Sequence, residues 1–467
     1  MDQKVKNAKI LFKVLALFTA MFFVMSFVYG AMTGTTGEII PKFIDILKTP
    51  AQCTHDLFDL SVAGTFFNMG MCCLLMLLYI ICCGGMNSVN SGTVAAFFLT
   101  VGFSSWGMNV LNMLPLMLAM QVYAFLKKKT PASMMNLGIF STAIAPIMSE
   151  VMLRWPNYND DILKGATNLT IQPTGILIAF VIAIIFCCFY VPMCAKAPNF
   201  HFGCDLFNAG PPAGFLCLMI IGFILRLPNL GGVAFNTSTV SNGPGVVDFA
   251  SRNIDPEFLF RFVLVSYIII FAICFIIGMK LDKDALKNYG KLIKDSGHGA
   301  DFIEKYGIGA TLINFAVYGL FILVFYTCMK FCFGAKWAGG VTGVVWCAYT
   351  WVAAGAHPLN VLPIGIGYVI ASLISTNLHL GPDASRLGMH HVAILIAFSY
   401  ATGMAPISGK YGVIWGIIAG MMHFAIVTLI PLQYDFFNFY NGGFTAGVVS
   451  FVLIPFIEHW FPEKASA

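Results

Sequence analysis

The residues most suggestive of chemistry form a motif that occurs twice. Asp205–Phe215 reads Asp-Leu-Phe-Asn-Ala-Gly-Pro-Pro-Ala-Gly-Phe, and within Tyr434–Val448 lies Asn441-Gly442-Gly443-Phe444-Thr445-Ala446-Gly447. Asn208, Gly210, Ala213 and Gly214 match Asn441, Gly443, Ala446 and Gly447 at one spacing, 233 residues apart. Both copies sit in apolar sequence. A helix that begins in such surroundings presents unpaired N–H groups and a partial positive charge. Asn208 and Asn441 stand where a cap would bind those groups. Gly210 and Gly443 would open the half-helices, and the four-residue glycine spacing also suits close helix packing. Contact with a polar solute and simple capping are both open readings. Asp205 and Asp435 flank the motifs; they are either solvated end charges or, if buried, proton or cation sites.

Other polar residues recur in pairs. Asn112 and Asn360 precede Pro115 and Pro363, and each proline leaves a carbonyl unpaired one turn back. A nearby amide can satisfy that backbone or bind a solute. His357 stands where the first half has Asn109, and a histidine inside a membrane is a candidate functional group. Glu150 occupies the position that Lys410 holds in the other half. The two either pair across a pseudo-two-fold axis or each reaches to its own interface. His379, Asp383, His390 and His391 have metal-ligand side chains, but their spacing fits no standard site. No metal, no cofactor and no catalytic residue is therefore expected. Neither GxSxG nor HExxH occurs, so the chain is not read as an enzyme.

The elements that must position these residues follow from composition. Of 467 residues 58% are hydrophobic and only 10% charged, with a mean hydropathy of +0.83. A soluble domain carries about 25% charged residues. Apolar runs near the length needed to cross a bilayer recur throughout. The fold class is an all-α polytopic membrane protein. The net charge of +5 does not signal nucleic acid, because the lysines cluster at segment ends as topology requires. Most of the fourteen cysteines lie in or beside apolar runs, where they behave as small hydrophobes.

Seven apolar segments are expected in each half: 10–31, 61–84, 91–105, 109–126, 133–152, 172–194 and 205–226, then 257–280, 306–332, 338–354, 359–376, 389–408, 411–431 and 439–460. The short pairs 91–105/109–126 and 338–354/359–376 are each two tilted spans or one re-entrant hairpin. Asn68 pairs with Asn314 at an offset of 246; Gly107, Asn112 and Pro115 pair with Gly355, Asn360 and Pro363 at 248; Ala145-Pro146-Ile147 pairs with Ala405-Pro406-Ile407 at 260. Two repeats are expected, 1–230 and 257–467, joined by an external linker at 231–256. Residues 281–304 form a charged cytoplasmic stretch.

The N-terminal lysines and apolar run imitate a signal peptide. Leu11-Phe12-Lys13 followed by Gly30 is echoed by Leu259-Phe260-Arg261 followed by Gly278, so the segment is expected to be part of the fold. Lys4, Lys6, Lys9 and Lys13 precede the first segment, whereas Lys280, Lys283, Lys287, Lys291 and Lys294 follow its twin. The positive-inside rule then inserts the two halves oppositely, with both termini cytoplasmic. Asn168-Leu-Thr and Asn236-Thr-Ser are sequons on the expected outer side.

The run Ala405-Pro406-Ile407-Ser408-Gly409, then Trp415-Gly416, Ala419-Gly420 and His423, then Asn438-Phe439-Tyr440-Asn441-Gly442-Gly443-Phe444 resembles an uncharacterised bacterial membrane-protein family, the domain of unknown function 1576. The resemblance covers nearly the whole chain. The first copy of the terminal motif departs, with Pro211-Pro212 where the second has Phe444-Thr445. The resemblance implies a multi-spanning protein of the bacterial inner membrane and no particular activity.

Inverted halves, broken segments and few charges point to a transporter or channel for a small polar solute, with its site at the bilayer midplane. Phe436, Phe437, Phe439 and Tyr440 could line a constriction or simply meet lipid. The expected partners are that solute and the bilayer, with a homo-oligomer open. An intramembrane enzyme using Glu150 or His357, and a non-transporting scaffold or sensor, are the alternatives.

Overall fold

The computed structural model describes residues 3–49, 57–153, 170–226, 255–335, 337, 339–378, 387–434 and 441–465. Those residues form helices and no strand. The first run comprises α1 (Gln3–Thr33), α2 (Ile39–Leu47), α3 (Val62–Cys83), α4 (Ser91–Phe103), α5 (Val110–Leu126), α6 (Pro131–Phe140), α7 (Ala145–Leu153), α8 (Pro173–Cys194), α9 (Ala197–His201) and α10 (Gly210–Ile220). The second comprises α11 (Pro256–Leu281), α12 (Ala285–Leu292), α13 (Phe302–Phe333), α14 (Gly339–Ala348), α15 (Pro358–Asn377), α16 (Val392–Ala401), α17 (Ala405–Tyr411), α18 (Val413–Val427), α19 (Ile430–Gln433) and α20 (Asn441–Trp460). A short α21 (Pro462–Ala465) follows. Long, short and broken helices come in the same order in both runs, and each helix packs on the same kinds of neighbour: α1 on α3 as α11 on α13, α5 on α8 as α15 on α18.

Nine helical stretches among the described residues are long and apolar enough to cross a membrane. The chain is a multi-pass helical membrane protein. Side chains such as Phe125, Leu177 and Ile414 are exposed on the outer helix faces, where lipid would cover them. The N-terminal apolar run is the core of α1, packed along α3.

Two segments expected to be single helices are each in two pieces. Between α6 and α7 the chain tightens at Ser141–Ile144, and between α16 and α17 at Thr402–Met404. Pro146 and Pro406 have no N–H to give to the preceding turn. The carbonyls one turn back, Thr142 O and Thr402 O, take the Ala145 and Ala405 amides instead, while the two threonine hydroxyls donate to Ile139 O (2.6 Å) and Ser399 O (2.8 Å). Both breaks are fully buried.

The tips where α4 turns into α5 and α14 into α15 are buried, and their hydrogen bonds recur. Asn68 Nδ2 donates to Ser104 O (2.8 Å) and Met108 O (2.9 Å); Asn314 Nδ2 donates to Val352 O (2.8 Å) and Ala356 O (2.9 Å). Leu57 N reaches Ser105 O as Phe302 N reaches Ala353 O, each at 3.1 Å. Gly107 and Gly355 both take positive φ (104° and 124°), a turn that a side chain would strain.

The stretch 281–304 is more than a charged surface helix. Beyond α12, the loop 295–299 is seated on three glycines. A Cβ on Gly409 would come 2.1 Å from Ser296 O, one on Gly355 2.8 Å from Gly297 O, and one on Gly203 2.8 Å from the His298 ring.

Where the two runs meet, α4 packs on α14 and α10 on α20. Cys347 Sγ lies by Leu99 O, and Gly343 and Gly340 abut Ser105 and Trp106. Rising numbers on one chain meet falling numbers on the other, so α4 and α14 are antiparallel. Phe98 stacks on Trp346, with ring centroids 5.7 Å apart and planes at 15°.

Candidate functional site

The two terminal motifs come together. A Cβ placed on Gly210 would lie 2.6 Å from the backbone of Gly443, its counterpart in the other motif. The flanking contacts also exchange. Gly214 faces Phe444 (2.4 Å) and Gly447 faces Pro211 (2.5 Å); adding 233 to Pro211 gives Phe444, and adding it to Gly214 gives Gly447. Only residues without side chains allow backbones this close. Tyr434, buried beside the crossing, donates its hydroxyl to Gly214 O (3.1 Å).

The loop before α10 is pinned to the break in the other run. Leu206 N donates to Gly403 O (2.9 Å), and Phe207 N to Asp205 Oδ1 (2.9 Å). Asp205 is 1% exposed. Its Oδ1 would be 3.0 Å from a Cβ on Gly403, and its Oδ2 would be 3.4 Å from one on Gly447. Oδ2 has no hydrogen-bond partner among the described residues. A buried oxygen in that condition is costly, and more so if charged. His201 accepts the Asp205 amide on Nδ1 (3.3 Å) and is itself buried.

A second polar chain reaches the motif from α18. His423 Nε2 lies 2.9 Å from Gly442 O, and Nδ1 meets the Tyr368 hydroxyl of α15. The carbonyl can only accept, so Nε2 carries the proton and Nδ1 accepts from Tyr368. A Cβ on Gly442 would press on Tyr400 at 2.4 Å, and the Tyr400 hydroxyl is 3.4 Å from Cys347 Sγ.

The sequence-expected residues divide between this centre and the two buried tips. Asp205, Gly210, Gly443 and Asn441 belong to the centre, Asn441 as the first residue of α20. Asn208 lies in the same loop and is exposed. Asn112 and Asn360 belong to the tips, and their polar atoms are occupied there. Asn112 donates to Gly107 O and Ser149 Oγ (both 2.8 Å) and accepts the Asn109 amide. Asn360 donates to Gly355 O (2.7 Å) and accepts the His357 amide. His357 accepts the Asn360 amide on Nδ1 and contacts Asp295 O through Nε2 (2.8 Å), so both ring nitrogens are used. The four amides do not line one cavity as free groups, because two of them cap helices.

As to the two readings of Glu150 and Lys410, no ion pair joins them among the described residues. Glu150 is fully buried in α7. Lys410 Nζ lies 4.9 Å over the Tyr411 ring, whose hydroxyl donates to Glu458 Oε1 (2.7 Å). A half-exposed lysine at a helix end can keep its ammonium hydrated, so it does not need the acid. Asp435, Phe436, Phe437, Asn438, Phe439, Tyr440, His379, Asp383 and the sequon asparagines Asn168 and Asn236 lie outside the described residues. Among the described residues no group of three metal-ligating side chains exists.

Sequence reasoning missed His201, Gly403, Tyr400 and the Tyr368–His423 pair as members of the site. His201 could have been found four residues before Asp205, and His423 as a histidine within an apolar helix. Gly403 and Tyr400 carried no local signal, because the loop of the first run that they meet is about 200 residues away.

No curated protein and no solved structure matches the chain. The two stretches of the family match begin just after α1 and at the last residue of α11, helices that open the two runs. Residues 35–226 and 281–459 match the family described as protein of unknown function, DUF1576, and the chain belongs to that family.

Proposed function

We propose that this protein is a membrane transporter or channel for a small polar solute, and that the solute passes the crossing of α10 and α20. The two runs of helices are read as copies of one unit, inserted in opposite senses. The observation that carries this is the self-contact of counterpart residues. Gly210 meets Gly443, and Phe98 meets Trp346, where 98 + 248 = 346. A residue touches its own counterpart only near a two-fold axis. Because α4 and α14 are antiparallel, that axis runs across the helices, in the plane of the membrane. This is the arrangement in which transporters place a site at the midplane.

The breaks at Ser141–Ile144 and Thr402–Met404 support the same reading. Non-helical backbone at membrane depth is tolerated where protein or a polar cavity surrounds it. The hairpins α4–α5 and α14–α15 are read as re-entrant, and both termini as cytoplasmic. The site holds few charges, so a neutral or singly charged solute fits better than a multiply charged one.

The test is flux in liposomes of purified protein, measured with a panel of small amides, polyols, amines and carboxylates. Flux above protein-free vesicles for one class is expected. Gly403→Ala, which puts a methyl group 2.3 Å from the Phe207 ring and 3.0 Å from Asp205 Oδ1, is expected to reduce it without changing detergent-solubilised size. Absence of flux across the panel, with protein that remains folded, would reject transport in favour of an intramembrane enzyme or a scaffold.

A further inference from the structure

We propose that Asp205 binds and releases a proton during transport, so that solute movement is coupled to a proton gradient. This rests on the transport reading and adds its driving ion. Asp205 is one of two acids buried among the described residues. Its Oδ1 is used by Phe207 N, while Oδ2 is enclosed without a hydrogen-bond partner among the described residues. No lysine or arginine among the described residues pairs with it. An uncompensated charge at membrane depth costs roughly 3 kcal/mol or more, and a proton on Oδ2 removes that charge. A metal cation would need several oxygen ligands; one free oxygen suits a proton.

The position is also one that must move. Asp205 is shut in by the first run's own loop, by Gly403 of the break and by Gly447 of α20. The tie of Leu206 N to Gly403 O must break for water to reach it. In the closed arrangement the neutral acid is tolerated. When the loop parts from Gly403, the O–H bond of Oδ2 breaks, its proton passes to water, and the carboxylate is hydrated; closing again requires a proton from water on the side then open. The other copy has no equivalent acid: 205 + 233 = 438, which is Asn438. One half carries the titrating group and the other does not.

Other titratable groups surround it. His201 on α9 takes its amide on Nδ1. Beside it lies Cys204, which Lys410 and Tyr411 of α17 and Glu458 of α20 approach. His298 in the α12–α13 loop meets Phe202 O, and Tyr400 lies on the far side of Phe207. None of these places a cation on Oδ2.

The proton is read directly by difference infrared spectroscopy of the full-length protein in liposomes during a pH step. A carbonyl stretch of a protonated carboxylic acid that titrates in the wild type, shifts in Asp205→Glu and is absent in Asp205→Asn is expected. A titrating band unchanged in Asp205→Asn, or no such band in the wild type, overturns the proposal. The second readout is accumulation: with one proton per neutral solute, a one-unit pH difference sustains about tenfold accumulation. Asp205→Asn is expected to abolish accumulation. Undiminished accumulation in Asp205→Asn, or accumulation that follows a sodium gradient, overturns it. Wild-type protein that moves no solute yet shows the Asp205 band would reject the transport reading and leave the proton site standing.

Discussion

Asn68 and Asn314 should be equivalent keystones of the two buried tips, where α4 turns into α5 and α14 into α15. Each amide donates to two tip carbonyls at 2.8 and 2.9 Å, and each residue is fully buried. Replacement by alanine leaves two buried acceptors without donors. A buried unsatisfied group costs about 1–3 kcal/mol, giving a ceiling of roughly 6 kcal/mol for the pair. Interhelical hydrogen bonds in membranes average only about 0.6 kcal/mol, because the unfolded state also finds partners; two of them set a floor near 1 kcal/mol. The expected loss is therefore about 1–6 kcal/mol at either position. Asn→Leu keeps the volume but removes both donors, so it should be no better than Asn→Ala. The assay is reversible unfolding in mixed micelles, with Ser88→Ala, an exposed hydroxyl at a loop, as the control. A loss below about 0.5 kcal/mol, the scatter of ordinary surface changes, would refute the claim that these amides hold the tips. A large loss at one position with none at the other would refute their equivalence.

Gly210→Ala would drive a methyl group to 2.6 Å from the Gly443 backbone; overpacking of this kind costs about 1–3 kcal/mol. It should lower the melting temperature clearly, whereas Gly37→Ala, with nothing within 4 Å, should not. Tyr368→Phe leaves His423 Nδ1 without its donor. Combined with His423→Phe in a double-mutant cycle it should reveal coupling of about 0.5–3 kcal/mol, and strict additivity would mean that the pair does not interact. Asp295 has a pH signature. Burial would raise it, but the Tyr306 hydroxyl, the Gly297 amide and Lys305 outweigh burial and hold its carboxyl below the ordinary 3.8. Its stabilisation is therefore present above the unfolded value and is lost as pH falls through the lower folded one. Asp295→Asn should flatten the acid limb of the melting-temperature profile; an unchanged limb would assign it to other acids.

Most of the helices were legible because a membrane imposes length and apolarity on each span, and both can be read residue by residue. The matching local geometry of the two runs was legible where it rests on Asn and Gly, whose positions are fixed by backbone geometry: Asn68 and Asn314 make the same two bonds, and Gly107 and Gly355 both take positive φ. The breaks before Pro146 and Pro406 were not anticipated, because the Ala, Ile, Leu, Met and Phe residues on either side make each segment read as one continuous apolar span. The site was half legible. Gly210 and Gly443 announced close packing, and they pack on each other. Glu150 and Lys410 suggested a pair because their positions match, yet matching positions say nothing of depth, and the lysine lies at a helix end. Asp205 was a candidate by type, but its enclosure depends on Gly403 and Gly447, which only the folded chain brings near.

Opposite insertion of the two runs is the claim on which the rest depends. Its direct measurement is the sidedness of matched positions. Single cysteines are introduced at Glu38, just before α2, and at Asp284, just before α12, in a background with the native cysteines replaced. Sealed right-side-out vesicles are then treated with a membrane-impermeant maleimide. The account predicts that position 38 is labelled at once and position 284 only after permeabilisation; labelling of both from the same side would contradict it.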